Sequence, residues 1–388
     1  MRFPEFSGEW KKKYVENFCK IQTGSGNTQD KESEGTYPFF VRSPVVEHSN
    51  KYIFDCEAVL TVGDGVGTGK VYHYINGKFN CHQRVYAMTN FEKSVCARYF
   101  FYHFQKIFPR QVFAMSAKTS VDSIRRNMIA QLNMALPSIN EQKKITQFFT
   151  LIDSRIEKQN QLVNVLKSYK RGLLARLFPK KGDTVPELRF KEFTADWERR
   201  KLSDICERVT RKNKNSESDL PLTISSQYGL IDQRDFFNKV VAAKDMSNYY
   251  LLQNGEYAYN KSYSNGYDYG SIKRLNAYEQ GCLSTLYICF SLESSDVDSD
   301  YLECFFDTLQ WYGDVSMICA EGARNHGLLN VDTKAFFTDV RINMPINIEE
   351  QRQISQYSNT LDTLIALHQE KCEMYAKIKN VLFKKMFI

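Results

Sequence analysis

The segment LPSINEQKKITQFFTLID, residues 136–153, returns near the other end of the chain as MPINIEEQRQISQYSNTLD, residues 344–362. The two copies align at an offset of 209 residues, and the match continues to Phe178 in the first copy and Phe387 in the second. Self-similarity at a fixed offset identifies repeated structural units before any local propensity is considered. The repeat therefore predicts a chain built from two similar halves.

A second repeat opens each half. MRFPEFSGEW at residues 1–10 matches LRFKEFTADW at residues 188–197, and the stretch PKKGDTVPE between the halves has the proline, glycine and charge of a linker. The predicted division comprises two globular blocks, two repeated C-terminal segments and the linker. These are residues 1–137 (block A) and 188–345 (block B), residues 138–178 and 346–388, and residues 179–187.

Both repeated segments are predicted to be long helices. Ser138 stands three residues before Glu141, and Asn347 three residues before Glu350, which is the spacing of a capping box. Apolar residues then recur at heptad spacing, which is typical of a helix that buries one stripe. Each helix can pack on its own block, but two copies of matching length and phase favour an antiparallel coiled coil with an approximate two-fold axis.

Composition and charge narrow the class of protein. The 388 residues are 43% hydrophobic and 25% charged, without an apolar run long enough to span a bilayer and without a signal-peptide core at the N-terminus, so we expect a cytoplasmic globular protein. The ten cysteines show no CxxC spacing, which favours reduced structural thiols. The net charge of +7 is concentrated in residues 141–181, where it fits DNA phosphates and a solvated, partner-facing helix equally well.

Enzyme signatures are missing from the sequence. The glycine-rich stretch at 62–70 has Asp64 where a phosphate-binding loop needs glycine and Val71 where it needs Ser or Thr, and the alternation around Asn76-Gly77 instead predicts a hairpin with a type I′ turn. The chain has no Pro-Pro of an adenine methyltransferase loop, no HxxxH pair, and no glycine where an EF-hand loop would need one in DVDSD. The sequence thus predicts a chain with no catalytic or metal site.

Candidate DNA contacts are cationic, amide and hydroxyl side chains in predicted loops and strands, because base edges and phosphates are bound by such groups. In block A they are Lys70, His73, Gln83, Arg84, Lys118, Arg125 and Arg126. In block B they are Lys261, Ser264, Asn265, Lys273, Arg274, Arg324, Asn325 and His326. The alternative for the tyrosine-rich stretch 254–290 is that its side chains are ordinary sheet residues.

Two variable blocks, each opened by RFxxF…W and closed by Pro…Glu-Gln…Ile…Asp…Leu…Phe, resemble the specificity (S) subunit of a bacterial type I restriction-modification system. The resemblance covers the whole chain and is most specific in the repeated helices. It implies an α+β fold: two mixed α/β target recognition domains joined by two long helices in an antiparallel coiled coil. Each domain would read one half of a bipartite, asymmetric site in double-stranded DNA.

The resemblance also implies partners. Two methyltransferase (M) subunits would dock on the helices and methylate an adenine in each half-site with S-adenosylmethionine, while restriction/translocase (R) subunits would use ATP and Mg²⁺. This chain would bind no cofactor and no membrane. The positions that match the conserved regions, expected in the spacer and docking surface, are Glu141, Gln142, Ile145, Asp153, Glu350, Gln351, Ile354 and Asp362. The alternative is a coiled-coil interaction scaffold whose blocks bind protein.

Overall fold

The structure is a computed structural model that describes residues 1–65, 67–116, 123–225, 228–237, 239, 241–263, 266–325 and 328–387. The chain divides into two compact units. Unit 1 comprises Met1–Gln161 with Gln369–Ile388, and unit 2 comprises Leu162–His368. Each unit therefore contains one block together with a part of each long helix.

Unit 1 is built on a mixed sheet covered by a helix. Its strands are β1 (Lys11–Tyr14), β2 (Lys20–Thr23), β3 (Tyr37–Phe40), β4 (Val46–Ser49), β5 (Phe54–Val62), β6 (Tyr72–Cys81), β7 (Val85–Thr89) and β8 (Asn133–Leu136). Its helices are α1 (Ala97–Ser116), α2 (Arg126–Ala130) and the first part of α3 (Ile139–Leu177), with 3-10 turns at Val15–Asn17 and Thr28–Asp30. The main sheet has the order β2-β7-β5-β6-β3-β4, and β1 pairs with β8. Neighbouring strands are antiparallel except β3 and β6, which are parallel.

Helix α1 supplies the aromatic core of unit 1. Phe100, Phe104 and Phe108 recur every four residues, so they share one face of the helix, and all three are fully buried. Successive rings in this row stack with centroids 5.1 and 4.3 Å apart. Burial of such a row stabilises the unit by roughly 1.5–3 kcal/mol per side chain.

The predicted hairpin at Asn76-Gly77 is wrong. Strand β6 runs through both residues, which pair in register with Glu57 and Cys56 of β5. Gly77 has a φ of +131°, a value that glycine adopts without steric cost. The long ladder with β5 outweighs the local turn propensity, and the chain reverses in residues 63–71 instead.

Unit 2 has a smaller sheet and more helices. Its strands are β9 (Glu198–Lys201), β10 (Cys206–Arg208), β11 (Leu222–Ser225), β12 (Gly229–Asp232), β13 (Tyr250–Gln253), β14 (Tyr257–Asn260), β15 (Ser271–Arg274), β16 (Gln280–Leu283), β17 (Ile288–Leu292), β18 (Cys319–Asn325), β19 (Leu328–Val331) and β20 (Arg341–Met344). Its helices are α4 (Leu202–Ile205), α5 (Gln233–Phe237), α6 (Ser299–Asp307), α7 (Tyr312–Ile318), α8 (Thr333–Asp339) and the first part of α9 (Ile348–Met386). One sheet has the order β10-β17-β14-β15, and β11–β12, β13–β16, β18–β19 and β9–β20 are antiparallel pairs.

Two tyrosines of the tyrosine-rich stretch belong to the core of unit 2. Tyr257 and Tyr259 alternate along β14 and are fully buried. The hydroxyl of Tyr257 donates to the carbonyl of Ser299 at 2.7 Å, and that of Tyr259 to the carbonyl of Tyr269 at 2.7 Å. For these two, the sheet-residue interpretation is correct.

Within each unit the two long helices run antiparallel. In unit 1, Phe149 of α3 contacts Phe383 of α9 and Phe387 just beyond the end of that helix, with ring centroids 5.7 and 5.5 Å apart, and Asp153 pairs with Lys379 at 2.5 Å. In unit 2, Lys170 of α3 pairs with Asp362 of α9 at 2.6 Å. The two ion pairs are copies of each other at the 209-residue offset. The predicted fold class, mixed α/β blocks joined to antiparallel long helices, is confirmed.

Candidate nucleic-acid interface

Each block is attached to the start of its long helix by an arginine from the RFxxF…W repeat. In unit 1 the guanidinium of Arg2 binds Glu141 through two hydrogen bonds of 2.7 Å. In unit 2 Arg189 binds Glu350 in the same way, at 2.8 and 2.9 Å. The Glu141 amide donates to Ser138 Oγ at 3.3 Å, which is one half of the predicted capping box. The Glu141 carboxylate, which the other half of the box would need, binds Arg2.

Two neighbouring positions strengthen this attachment in both units. They are the phenylalanine after each arginine and the glutamine after each glutamate. Phe3 packs on Phe148 in unit 1, and Phe190 packs on Tyr357 in unit 2. Gln142 and Gln351 are buried, and each binds one backbone amide and two backbone carbonyls of its own unit. The bonded residues are Cys96, Ser94 and Pro137 for Gln142, and Asp298, Asp296 and Pro345 for Gln351.

The residues predicted for partner docking thus have internal roles. Glu141, Gln142, Glu350 and Gln351 are at most 1% exposed, and Ile145 and Ile354 are 2% exposed. Asp153 and Asp362 form the cross-helix ion pairs, and Asp153 also accepts a 2.7 Å hydrogen bond from Tyr102. Because buried side chains offer no surface to a partner, the structure assigns the Glu, Gln and Ile positions to holding block and helices together, whereas 34% of the Asp153 side chain and 51% of the Asp362 side chain remain exposed.

The candidate DNA residues of unit 1 fall into two groups. His73 lies on β6 with its ring 4.9 Å from that of Phe40, and burial lowers the pKa of its imidazole. Lys70, Arg125 and Arg126 are exposed, the last two at the start of α2. Lys118 lies outside the described residues.

Gln83 and Arg84 are brought together with three residues that the sequence did not single out as DNA contacts. Arg84 Nη1 lies 3.1 Å from Asp64 Oδ2, and Arg42 Nη1 lies 3.6 Å from Asp64 Oδ1. Gln83 donates to Asn27 Oδ1 at 2.8 Å. A cavity of about 130 Å³ adjoins this cluster, lined by Thr23, Gly63, Asp64, Gln83, Arg84, Tyr86, Ser123 and Ile124.

In unit 2 two of the candidate cations point inward. Lys273 Nζ lies 2.7 Å from Asp307 Oδ1, and Arg274 binds Asp300 and Glu303. Their side chains are only 13% and 15% exposed. Burial by itself lowers the pKa of Lys273, but the attraction of Asp307 outweighs it and raises that pKa. These two cations therefore neutralise carboxylates of their own unit.

Arg324 and Asn325 lie in the β18–β19 hairpin, and Lys261 lies beside it. The backbones of Arg324 and Asn325 are on β18, opposite Leu329 and Leu328. Ser264, Asn265 and His326 lie outside the described residues. Lys261 follows β14, and its carbonyl accepts a 2.8 Å hydrogen bond from the amide of Leu329, which ties the hairpin to the sheet.

Lys261 lies near Arg208, which is one of two cations that contact the Tyr250 side chain. Arg208 donates to the hydroxyl of Tyr250 at 3.4 Å, and the Lys212 ammonium lies 3.8 Å from the centre of its ring. Burial and the nearby Arg208 charge lower the pKa of Lys261. Among the residues that the structure describes, no carboxylate forms an ion pair with Arg208, Lys212 or Lys261. Positive charge without an internal counter-charge is suited to DNA phosphates.

As a candidate phosphate-binding surface, this group of cations predicts that replacing Lys261 or Arg208 with alanine weakens DNA binding similarly on all sequences. Each lost phosphate contact should reduce the slope of log K against log salt by about 0.9, because fewer counterions are released. Fluorescence anisotropy of labelled duplexes over a salt series measures both quantities. Lys214→Ala, at an exposed lysine nearby in the sequence, is the control. An unchanged slope would remove the residue from the phosphate-binding surface.

The described part of the chain shows neither a helix suited to crossing a membrane nor a group of side chains suited to binding a metal ion. None of its helices combines the length and the apolar character needed to cross a membrane. Its His, Cys, Asp and Glu side chains do not come together in groups of three that could hold a metal ion.

Residues 7–168 match the family model for the type I restriction modification DNA specificity domain. The chain is 27% identical over 185 residues to the type I restriction enzyme EcoDI specificity subunit of Escherichia coli, an alignment that covers 47% of this chain and 40% of that protein. It is 24% identical over 221 residues to the type I restriction enzyme MjaVIII specificity subunit of Methanocaldococcus jannaschii, covering 53% and 51%. The chain thus spans about half the length of the curated relatives it matches.

The fold is similar to the crystal structure of a type I restriction-modification system S subunit from M. genitalium. The TM-score is 0.66 at 15% sequence identity, and the match covers 100% of this chain and 99% of that one. At this identity the likeness establishes the fold alone. The family resemblance found in the sequence is confirmed for residues 7–168, which match the model of the type I restriction modification DNA specificity domain, and the chain has the fold of the S subunit to which it is similar.

Proposed function

We propose that this chain is the non-catalytic DNA specificity subunit of a type I restriction-modification complex. The observation that carries the proposal is the repeated attachment: Arg2 with Glu141 and Arg189 with Glu350 hold two unlike blocks on two copies of the same helix. The polar surfaces of the two blocks differ, since one cluster is centred on Asp64 and the other on Tyr250. Two different blocks held on the helices in the same way suit the recognition of an asymmetric, bipartite DNA site.

In this proposal the long helices act as spacer and docking surface. Apolar side chains remain exposed on them in both units, which is typical of a surface that a partner covers. In unit 1 these are Leu151, Met374, Ile378 and Val381, and in unit 2 they are Leu162, Val165, Tyr169, Tyr357, Leu364 and Leu367. Two M subunits docked here would methylate one adenine in each half-site.

The partners would supply the chemistry. S-adenosylmethionine would bind to the M subunits, and ATP and Mg²⁺ to the R subunits. The contribution of this chain would be to place each half-site against an M subunit, with a separation set by the helices.

Co-expression with a type I M subunit from the same organism, in a host without adenine modification, is the test. Mapping methylated adenines across the host genome is expected to yield a single bipartite motif with an unspecified gap of fixed length. An assembled complex that methylates no such motif would contradict the proposal. Binding of the blocks to a protein in place of DNA would then support the scaffold alternative.

A further inference from the structure

Arg84 of unit 1 carries an exposed guanidinium on a rigid backbone. Its side chain is 61% exposed, whereas Asp64, its ion-pair partner, is 24% exposed. The carbonyl of Arg84 accepts a 2.7 Å hydrogen bond from Gly63, and its amide donates to His82 Nδ1 at 3.0 Å. The guanidinium therefore projects from a backbone that is fixed on both sides.

The aspartate that contacts Arg84 is also held in place. A Cβ on Gly63 would lie 2.9 Å from the carbonyl oxygen of Arg84, so glycine permits the close approach that brings Asp64 beside the arginine. The amide of Ile124 donates to the carbonyl of Gly63 at 2.7 Å, and Asp64 forms a β-bridge with Ser123. The carboxylate is thus presented by a backbone with bonds to two separate segments.

The charges of the cluster leave Arg84 available to a ligand. Asp64 Oδ2 contacts Nη1 of Arg84, while Arg42 lies near the other oxygen of the carboxylate. Two cations against one carboxylate leave a net positive charge. Burial, and then the Arg42 charge, lower the pKa of the neighbouring His82, and its Nδ1 accepts a hydrogen bond. An arginine held by one nitrogen still has donors free in a planar fork.

A planar fork of N–H donors matches one base edge in particular. In the major groove guanine presents O6 and N7, two acceptors side by side, and an arginine that donates to both discriminates against the other bases. A carboxylate that fixes one guanidinium nitrogen reduces the rotamer freedom lost on contact. The exposed fork, the rigid backbone and the carboxylate support together form a base-reading element.

We propose that Arg84, positioned by Asp64, reads a guanine in the half-site bound by unit 1. Arg84 is the specificity-determining residue, and Asp64 is a positioning residue that acts through it. The inference rests on the proposed function, because a guanine contact requires that unit 1 binds DNA.

The experiment maps adenine methylation by the assembled complex for the wild-type chain and for Arg84→Ala, Arg84→Lys and Asp64→Asn. Arg84→Ala is expected to make one G·C position of one half-site degenerate, with discrimination there falling about 5- to 150-fold. Arg84→Lys keeps the charge but loses the fork, so the same position should relax while methylation persists. Asp64→Asn should relax it partly, and the other half-site should stay unchanged in all variants.

The matched control is Glu47→Gln, which removes another ion pair of unit 1, the one with Lys31. It is expected to leave the motif intact. Thermal melts and co-purification with the M subunit verify that each variant folds and assembles.

Three outcomes would overturn the inference. They are an unchanged motif in Arg84→Ala, a uniform fall in methylation without a relaxed position, and a guanine requirement that survives in Arg84→Lys. Relaxation by Arg84→Ala with no effect of Asp64→Asn would overturn the positioning role. A wild-type complex without any bipartite motif would contradict the proposed function itself, so the two failures are distinguishable.

Discussion

Replacing Glu350 with alanine is expected to lower the free energy of unfolding of unit 2 by about 3 kcal/mol, because removal of one partner from a buried ion pair leaves the other charge without compensation. The Glu350 and Arg189 side chains are 2% and 12% exposed. Glu350 also accepts a 3.2 Å hydrogen bond from Trp197 Nε1. The substitution therefore leaves the largely buried Arg189 guanidinium without its carboxylate, with the Ala195 carbonyl as a remaining acceptor, and leaves the buried Trp197 indole N–H without its acceptor.

Denaturant unfolding followed by tryptophan fluorescence measures this loss. Trp197 and Trp311 report on unit 2 and Trp10 on unit 1, so a Trp10→Phe background isolates the unit 2 transition. Glu349→Ala, one residue earlier and 59% exposed, is the matched control. If both variants unfolded at the same denaturant concentration, the attachment would not depend on this ion pair.

The equivalent change in unit 1, Glu141→Ala, is expected to cost less. Arg2 is 28% exposed, compared with 12% for Arg189, so water solvates its freed charge better. The indole nitrogen of Trp10 has no hydrogen-bond partner among the described residues, so it does not lose an acceptor. An equal or larger loss in unit 1 would show that solvation of the arginine does not govern the effect.

Asp307 is the second position where a large effect is expected. Its carboxylate lies 2.7 Å from the Lys273 ammonium and 3.1 Å from that of Lys170, whose side chains are 13% and 11% exposed. Asp307→Ala is expected to destabilise unit 2 by about 3 kcal/mol, because Lys273 loses its carboxylate and Lys170 retains only Asp362. Urea unfolding measures the loss, with Asp339→Asn at an exposed carboxylate as control.

The same carboxylate predicts a pH dependence. Burial raises the pKa of Asp307, but the charges of Lys273 and Lys170 outweigh it and hold that pKa below the ordinary value of 3.8. A carboxyl with a depressed pKa in the folded state contributes stability above its ordinary pKa and loses it as the pH falls through the folded value. Unit 2 is therefore expected to lose stability below about pH 4, and less steeply in Asp307→Asn. Parallel pH profiles for the two proteins would contradict this assignment.

The two units thus attach the cross-helix ion pair to their blocks by different chemistry. In unit 1 Asp153 binds Lys379 and the hydroxyl of Tyr102. In unit 2 Lys170 binds both Asp362 and Asp307, and Asp307 continues the contact to the sheet through Lys273. The helix positions repeat, whereas their partners in the blocks do not, as expected when the two blocks diverge in sequence on a common support.

The sequence by itself determined the architecture, because the residues that make the repeated contacts occur twice in the chain, at fixed offsets. Arg2 and Arg189, like Glu141 and Glu350, are visible as pairs before any coordinates are known, and the heptad stripes indicate that the helices need a partner. The antiparallel pairing follows from those features. The offset also relates Asp153 to Asp362, although it does not reveal that their partners are the lysines of the opposite helix.

Only the tertiary structure decided how the polar residues are used. Arg208 and Lys212 both contact Tyr250, Lys261 lies near Arg208 because β10, β17 and β14 are neighbours in one sheet, and Lys273 is largely buried because Asp307 ends a helix beside its strand. Asp64 and Arg84 meet because a glycine lets two loops approach. Such contacts depend on strand order and register over tens of residues. Because each contact occurs once, no local sequence pattern and no repeat indicates it.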